Sequence, residues 1–381
     1  MNRIETLPFE PLAQEAISGE IAEKLAEIDF TGKNILFICE DGTRRAPVAT
    51  FFPELFSVVS DAANQVTVLI ANGTHRAMTE DELIRKIGID TNGVRVFNHD
   101  AYDETRLTRI GEIDGQEVKV NTLLSEHDII IGIGSITPHR VMGFSGGAKL
   151  LLPGIADAAS VAFTHWKSNQ YAENLIVGNI SNPVREVIDR VPSMIEKLFG
   201  VRCLLINCVV SGSDIAGIFV GSFDDVYKKG AALTERLFVR RVEPCSSILA
   251  LVPPSAVDFW QAAKAVYNCA RVINQGGKIV VSGEMPEGIS AQHPEIEQFG
   301  YSSRGTIEAL VKSGLITDVL AASHMVRVSE RLERVRIYLS SPNINPETCR
   351  TGGLDYVSPG SFQADDFDYV VENAIDTLLV T

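Results

Sequence analysis

The sequence predicts an α/β fold in which mostly parallel sheets are flanked by helices. Three observations point there: short runs rich in Ile and Val recur along the 381 residues, clusters of Gly, Asp, Thr and Ser follow them, and helical patterns follow the clusters. This is the rhythm of parallel strands joined by crossover helices, where both sheet faces are covered and strands read as continuous apolar runs. In chain order, a helical pattern over 11–28 leads to the apolar run NILFIC, a strand at 34–39. VTVLIA marks a strand at 66–71 and precedes a helix over 79–87. DIIIGI marks a strand at 128–133, followed by helices over 157–167 and 182–199. An apolar run at 203–210 and a helical pattern over 223–238 repeat the alternation. From Ser246 the chain reads SSILALVPPSAVDFWQAAKAVYNCARVINQGGKIVVSGEMPEG, a complete strand-helix-strand unit. Its strands fall at 247–252 and 278–282, its helix at 258–274, with Gly276-Gly277 as the helix C-cap. A helix over 304–312, a strand at 336–340 and a helix over 364–379 complete the expectation.

A chain this long exceeds one ordinary core, so two domains are expected. No low-complexity linker, charge block or internal repeat marks the seam. It is placed near Glu243, where RRVEPCSS brings charge, Pro and Ser before a fresh strand, giving domains over 1–243 and 244–381. Hydrophobic residues make up 45% and charged residues 22%, ordinary values for a globular protein. A net charge of −15 and a pI near 5.0 repel nucleic acid and anionic membrane surfaces, so neither is an expected partner. An anionic small molecule would need a local basic pocket. The segment MNRIETLPFEPLAQEAISGE lacks the apolar core of a secretory signal, and no later segment offers the roughly 18 apolar residues of a membrane span. A cytoplasmic location is expected. The cysteines Cys39, Cys203, Cys208, Cys245, Cys269 and Cys349 form no CxxC pair, and most sit in apolar runs as small hydrophobes.

Ligands in open α/β sheets bind beyond the carboxyl ends of strands. Three strand ends here match in kind: NILFIC runs into Glu40-Asp41-Gly42-Thr43-Arg44, VTVLIA into Asn72-Gly73-Thr74-His75-Arg76, and DIIIGI into Gly134-Ser135-Ile136-Thr137-Pro138-His139-Arg140. Each delivers a Thr and a basic residue to one rim, a positive potential suited to phosphate or carboxylate. One DGTR alone is as readily a turn with a helix cap; three such ends favour the functional reading. His75 and His139 are then candidate acid and base, since imidazole titrates near neutrality without perturbation. His99, His127, His293 and His324 read as ordinary surface or core histidines.

The segment PHRVMGFSGGAKLLLPGIADAASVAFTHW adds Lys149 behind a Ser145-Gly146-Gly147 loop through which backbone can approach a ligand closely. The Walker spacing GxxxxGK[ST] is absent, which leaves Lys149 to pair a phosphate, form a Schiff base or carry a covalent cofactor. His165 lies on an expected helix with no zinc-cluster spacing around it. On the helix capped by Asp258, Trp260, Gln261 and Lys264 share one face, where they can hold a carboxylate or merely pack.

Taken together, DGTR, GTHRAMTEDEL, the PHR to SGGAKLLLPGIA to His165 segment and the FWQAAK helix resemble the nickel-dependent lactate racemase family, in one order from about Asn34 to Gly288. The resemblance implies an isomerase that racemises or epimerises a 2-hydroxy acid by reversible hydride transfer to a nickel-pincer nucleotide, a pyridinium mononucleotide tethered to lysine. Lys149 matches the tether, behind the Ser145-Gly146-Gly147 loop. His165 matches the nickel ligand, and His75 and His139 match the paired acid and base. Asp41, Thr43 and Arg44 match the first strand-end motif, with Arg44 near substrate or cofactor. Gln261 and Lys264 match substrate contacts from the second domain, with Lys264 anchoring the reacting acid's carboxylate. The first domain would tether the cofactor and the second would close over the cleft. Separate cofactor-synthesis enzymes are implied upstream.

Two positions depart from the family pattern. Arg45 stands where these racemases often have proline, and Trp260 where the lactate enzymes usually have tyrosine. Both adjoin expected substrate contacts, so a bulkier, dicarboxylic or sugar-derived 2-hydroxy acid competes with lactate, with Arg45 as partner for a second carboxylate. Two rivals from other classes are a non-catalytic nucleotide- or anion-binding homologue and a zinc-dependent hydrolase using His139 and His165. A nicotinamide dehydrogenase is disfavoured because no GxGxxG follows the first strand.

Overall fold

Two six-stranded sheets organise the computed structural model, which describes every residue except Met1, Arg45, Gly93 and Ser213. The first sheet runs in the order Asp214–Gly221, Arg202–Ser211, Ile129–Ser135, Asn34–Glu40, Gln65–Ala71, Arg95–Asn98. All its neighbours are parallel except Asp214–Gly221, which folds back antiparallel on Arg202–Ser211. Both faces are buried, as the apolar runs demand: Ile35, Phe37 and Cys39 enter one core while Leu36 and Ile38 enter the other. The second sheet, wholly parallel, orders Asn2–Ile4, Tyr369–Val371, Cys245–Leu251, Ile273–Ser282, Arg336–Ser340 and Asp355–Tyr356. The two sheets and their flanking helices are the α/β architecture expected.

Both chain ends cross between the halves. Asn2–Ile4 edges the second sheet, and Leu378–Val380 pairs with Val239–Arg241. The halves also meet along helices Ala158–Ser168 and Val319–Leu332. There Ser323 Oγ donates to His165 O at 3.2 Å, Asn169 Nδ2 donates to Ser323 Oγ at 3.1 Å, and Arg327 donates to the carbonyls of Ser168 and Tyr171. Trp166 packs into the core of the second half.

The structure corrects three expected elements. The helix expected over 364–379 is instead a short turn, then strands Tyr369–Val371 and Leu378–Val380. Its helical spacing of apolar residues loses to tertiary pairing, since Tyr369–Val371 fills the slot between Asn2–Ile4 and Cys245–Leu251. The helix expected over 258–274 ends at Cys269, and strand Ile273–Ser282 already contains Gly276 and Gly277. Those glycines are therefore not a C-cap; the added Cβ of Gly277 would fall 2.5 Å from Ser246 O, so the glycine admits the neighbouring strand. The expected helix over 182–199 is two, Arg185–Ile188 and Val191–Phe199, with Pro192 in the first turn of the second. No helix of the described residues is long and apolar enough to cross a membrane. All six cysteines are buried free thiols, each pushed up by burial.

Candidate active site

Register aligns three strand ends at one edge of the first sheet. Glu40 pairs with Ala71, and Cys39 with Ile133, so the loops after Glu40, Ala71 and Ser135 leave side by side. Glu40 fastens them: its buried carboxylate accepts from Ser135 N at 2.7 Å, Ser135 Oγ at 2.9 Å and Ala46 N at 2.6 Å, and pairs with Lys86 Nζ at 3.4 Å. The cavity beyond these ends is lined by Asp41, Arg44, His75, His139, Lys149 and His165 from the first half. The second half contributes Trp260, Gln261 and Lys264. Ser145 and Gly146 also line it, whereas Thr43 and Gly147 support it from behind. Arg45 lies outside the described residues.

Asp41 is buried and its Oδ2 lies 2.6 Å from His75 Nδ1. Burial would raise this carboxyl, but hydrogen bonds from His75 and Thr43 and the charges of His75 and Arg44 hold it well below the usual range. The ionised carboxylate therefore accepts from His75 Nδ1–H, leaving Nε2 of a neutral His75 with its lone pair. Thr43 Oγ1 donates to Asp41 Oδ1 at 2.7 Å, which fixes the carboxylate.

His139 is set the other way. Its Nδ1 accepts Val141 N–H at 3.2 Å, so the neutral ring carries its proton on Nε2. Burial, then the charges of Lys149 and Arg44, push this imidazole well below its ordinary value. His165 donates Nδ1–H to Val161 O at 2.9 Å, the carbonyl one helical turn back, and so keeps an Nε2 lone pair. Burial and Arg140 lower His165 to about 3, so that lone pair is free of protons at neutral pH. This is how ligating histidines are commonly oriented, one ring nitrogen held by a carbonyl and the other left for metal.

Lys149 sits in the short helix Gly147–Leu150 just after the glycine loop. Burial, then Arg44, lowers its amine well below the ordinary lysine value, with Lys264 adding to the effect and Asp41 opposing it. A neutral amine is a nucleophile or acyl acceptor rather than a counter-ion. The loop is clamped from beneath: Gly147 N donates to Asn207 Oδ1 at 2.8 Å, and Arg185 Nη1 donates to Gly146 O at 3.1 Å. Gly146 has φ +75°, and an added Cβ would meet Ile136 Cγ1 at 2.4 Å and Asn207 Oδ1 at 2.7 Å. Gly146→Ala is expected to cost on the order of 3 kcal/mol from strain and overpacking, seen as a lower melting temperature by calorimetry.

From the second half, Asp258 caps helix Phe259–Cys269, and Lys264 Nζ donates to Gln261 Oε1 at 2.8 Å. Trp260 is sandwiched: His293 stacks at 4.0 Å between ring centroids and His324 lies at 4.5 Å. His324 bridges the hydroxyls of Tyr267 at 2.8 Å and Tyr301 at 2.9 Å, and His293 Nδ1 lies 2.6 Å from Asp318 Oδ2. His293 and His324 thus border the cavity, which sequence reading missed; each is a lone histidine whose neighbours in the chain carry no motif. His99 and His127 are core histidines, bonded to Ala156 O and Asn121, and to Leu123 O and Thr67.

Residues 10–175 match the lactate racemase N-terminal domain. The lactate racemase of Thermoanaerobacterium thermosaccharolyticum is 26% identical over 290 residues, 73% of this chain. That of Lactiplantibacillus plantarum is 28% identical over 275 residues, 68% of the chain. Over residues 10–175 the chain carries a lactate racemase N-terminal domain, and it is to this family that it is similar. The matches span 66% and 62% of those two relatives' own lengths, less than two thirds of each. Among solved structures, a Thermotoga maritima protein aligns with TM-score 0.86 and 25% identity, covering 98% of this chain and 99% of its own. The lactate racemase apoprotein of T. thermosaccharolyticum aligns with TM-score 0.81 and 21% identity, covering 97% and 94%.

The buried histidines fix the acid response of the fold. His99, His127, His139, His165 and His324 are all lowered, mainly by burial. Below pH ~6.5 the unfolded chain takes up protons that the folded chain refuses, so unfolding free energy falls as pH falls. Each histidine contributes a slope of at most about 1.4 kcal/mol per pH unit. The melting temperature is therefore expected to drop steadily from pH 6.5 to 5, and a flat profile would contradict the neutral, buried assignment.

Proposed function

We propose that this chain racemises or epimerises a 2-hydroxy acid, with His75 and His139 as acid and base on either side of the carbinol carbon. One observation carries the reading: two cavity histidines are held by their partners in opposite tautomers, His75 with Nε2 open and His139 with Nε2–H. His75 accepts the hydroxyl proton of one enantiomer, and the imidazolium so formed rests on Asp41. His139 meets the same substrate oxygen from the other side with Nε2–H. For the opposite enantiomer the roles exchange: a doubly protonated His139, its Val141 contact released, gives a proton from Nε2 when that enantiomer forms and takes one there when it is consumed, and exchange with solvent resets the two rings. Each enantiomer directs its hydroxyl to a different side, so each needs its own base. Lys264, positioned through Gln261, anchors the carboxylate together with Arg44, while Trp260 walls the pocket. Arg45 remains a further candidate contact on sequence grounds alone.

The residues present fit a lysine-tethered nickel-pincer nucleotide. Lys149 offers a neutral amine for the tether, His165 an open Nε2 for nickel, and Arg44 a cation for an anionic group, while Ser145, Gly146 and Gly147 shape the approach. Among the described residues no group of three or more His, Cys, Asp or Glu side chains could hold a metal ion. Donors brought by a bound group suit that lining better than a protein-only zinc site on His139 and His165. When bound, the group would supply a reversible acceptor for the hydride on the carbinol carbon. We place the domain seam near Glu243, so that 1–243 holds the tether and 244–381 closes over it. The upstream partners are the enzymes that make the cofactor, and the location we propose is the cytoplasm.

The test is to load the protein with cofactor, supply single enantiomers of 2-hydroxy acids in D₂O, and follow enantiomeric excess and the C2 isotope. Loss of enantiomeric excess with C2–H retained is the expected result. Deuterium at C2 would overturn the hydride reading, and unchanged enantiomeric excess with every acid would overturn the racemase.

A further inference from the structure

The cavity holds a cation that its lining does not neutralise. The cations Arg44, Arg140 and Lys264 line it beside the neutral Lys149, against two carboxylates, Glu40 and Asp41. Both carboxylates are already engaged, Glu40 with Ser135 and Lys86 and Asp41 with His75 and Thr43. Arg140, half-buried with its Nη1 enclosed, lacks the carboxylate partner that the buried arginines have. Arg185 pairs with Asp189 at 2.8 Å, Arg327 with Glu330 at 2.9 Å, and Arg331 with Glu173. No acid among the described residues pairs with Arg140; its guanidinium lies over the Tyr267 ring at 5.2 Å, and its buried Nη1 has no hydrogen-bond partner. A buried guanidinium donor left unpaired costs free energy, and charged groups in protein interiors are ordinarily matched. A planar fork beside an aromatic ring is also the usual reader of carboxylate and phosphate.

Its position says which anion. The Arg140 guanidinium lies 5.2 Å from the ring centroid of Tyr267, which lines the cavity from the second half and bonds to His324, whereas Arg44 follows the first strand end beside Asp41. Arg140 thus faces the second half, next to His139 in the chain. A substrate carbon beside His139 would have Lys264 and Arg44 for one carboxylate and Arg140 for a group further along.

We propose that Arg140 forms a second anion subsite of this cavity and selects 2-hydroxy acids bearing a second carboxylate. The assignment rests on the racemase reading above and sharpens its substrate class. Loss of one charge-assisted, bidentate contact corresponds to roughly ten- to hundredfold in relative rate.

The experiment compares wild type with Arg140→Met and Arg140→Lys. It measures kcat/KM for single enantiomers of malate and lactate in cofactor-loaded protein, the intact mass of each preparation, and calorimetric binding of both acids to cofactor-free protein. Wild type is expected to favour malate at least about tenfold, and Arg140→Met to lower the malate-to-lactate ratio by about ten- to hundredfold. The adduct mass should be unchanged, and malate binding to the cofactor-free protein should weaken in parallel. If the Met variant fails to fold, the Lys variant, which keeps the charge and loses the fork, should still lower the ratio. Equal use of the two acids by wild type, or a ratio unmoved by either variant, overturns the subsite. Loss of the adduct in the variants would give Arg140 to the cofactor's phosphate and overturn it too. Arg140-dependent malate binding without racemisation of either acid would sustain the subsite while removing the racemase reading.

Discussion

Lys149→Ala, produced alongside the cofactor-synthesis enzymes, is expected to show no mononucleotide adduct by intact mass, no bound nickel, and racemisation lower by roughly 10³-fold or more, as follows when a covalent participant is removed. The direction follows from three properties of the position. The amine is held neutral by burial and by Arg44, so it can be acylated at ordinary pH. The loop carrying it is fixed through Asn207, Arg185 and the constrained Gly146, so no neighbouring lysine can take its place. Lys264, the other lysine in the cavity, is engaged with Gln261 from the opposite half. Lys149→Arg gives a sharper version of the test. Arginine would match the length of the lysine but stays charged and cannot be deprotonated to form the tether, so it should fail as completely as alanine. An adduct retained in either variant would remove Lys149 from its proposed role. Wild-type protein lacking both adduct and nickel would favour a binding module or another metal chemistry.

What the sequence disclosed follows from which forces acted locally. The first sheet was legible because its strands are buried on both faces and read as unbroken Ile/Val runs, and because turn residues mark where each ends. The helix starts expected at Thr79, Asp157 and Asp258 coincide with the N-caps found there, Thr79 within a capping box. Elements whose identity depends on distant partners were not legible. Val319–Leu332 buries Ser323, His324, Arg327 and Arg331, so it has no polar face to show a helical period; those groups are satisfied by Asn169, Tyr267 and Glu173 from elsewhere and by Glu330 on the helix itself. Val48–Ala62 carries Pro53 in its interior, which reads as a breaker. Within the site, the residues after strand ends were visible because parallel sheets gather them at one edge. The partners that set their protonation were not: Val141 N–H on His139 and Val161 O on His165 are backbone contacts that no side-chain pattern encodes. Arg140 was visible only as one more basic residue at the rim. Its lack of a carboxylate emerges when the three buried arginines are seen to have one.

Asp41→Asn should be the most damaging substitution that leaves every proposed reacting group in place, lowering kcat by about 10² to 10⁴. The carboxylate fixes the His75 tautomer: it only accepts, so Nδ1 must donate and Nε2 stays open. Asparagine can present its amide N–H to Nδ1 instead, which moves the ring proton to Nε2 and turns the base into a donor. It also removes the charge that stabilises the imidazolium once the hydroxyl proton has been taken. Both effects fall on His75, so kcat and KM should each change unequally between the enantiomers, while the two kcat/KM values fall together, as an equilibrium constant of unity requires. At full conversion equilibrium forbids a net bias, so the asymmetry is read in initial kcat and KM for each enantiomer separately. Thr43→Ala, which loosens the same carboxylate through its 2.7 Å hydrogen bond, should show the same imbalance in weaker form. His139→Gln should shift the split between kcat and KM the opposite way. Equal changes in kcat and KM for both enantiomers in Asp41→Asn and His139→Gln alike would mean that the two histidines do not divide the proton transfers between them. A normal rate in Asp41→Asn would mean that His75 needs no orienting partner and is not the base.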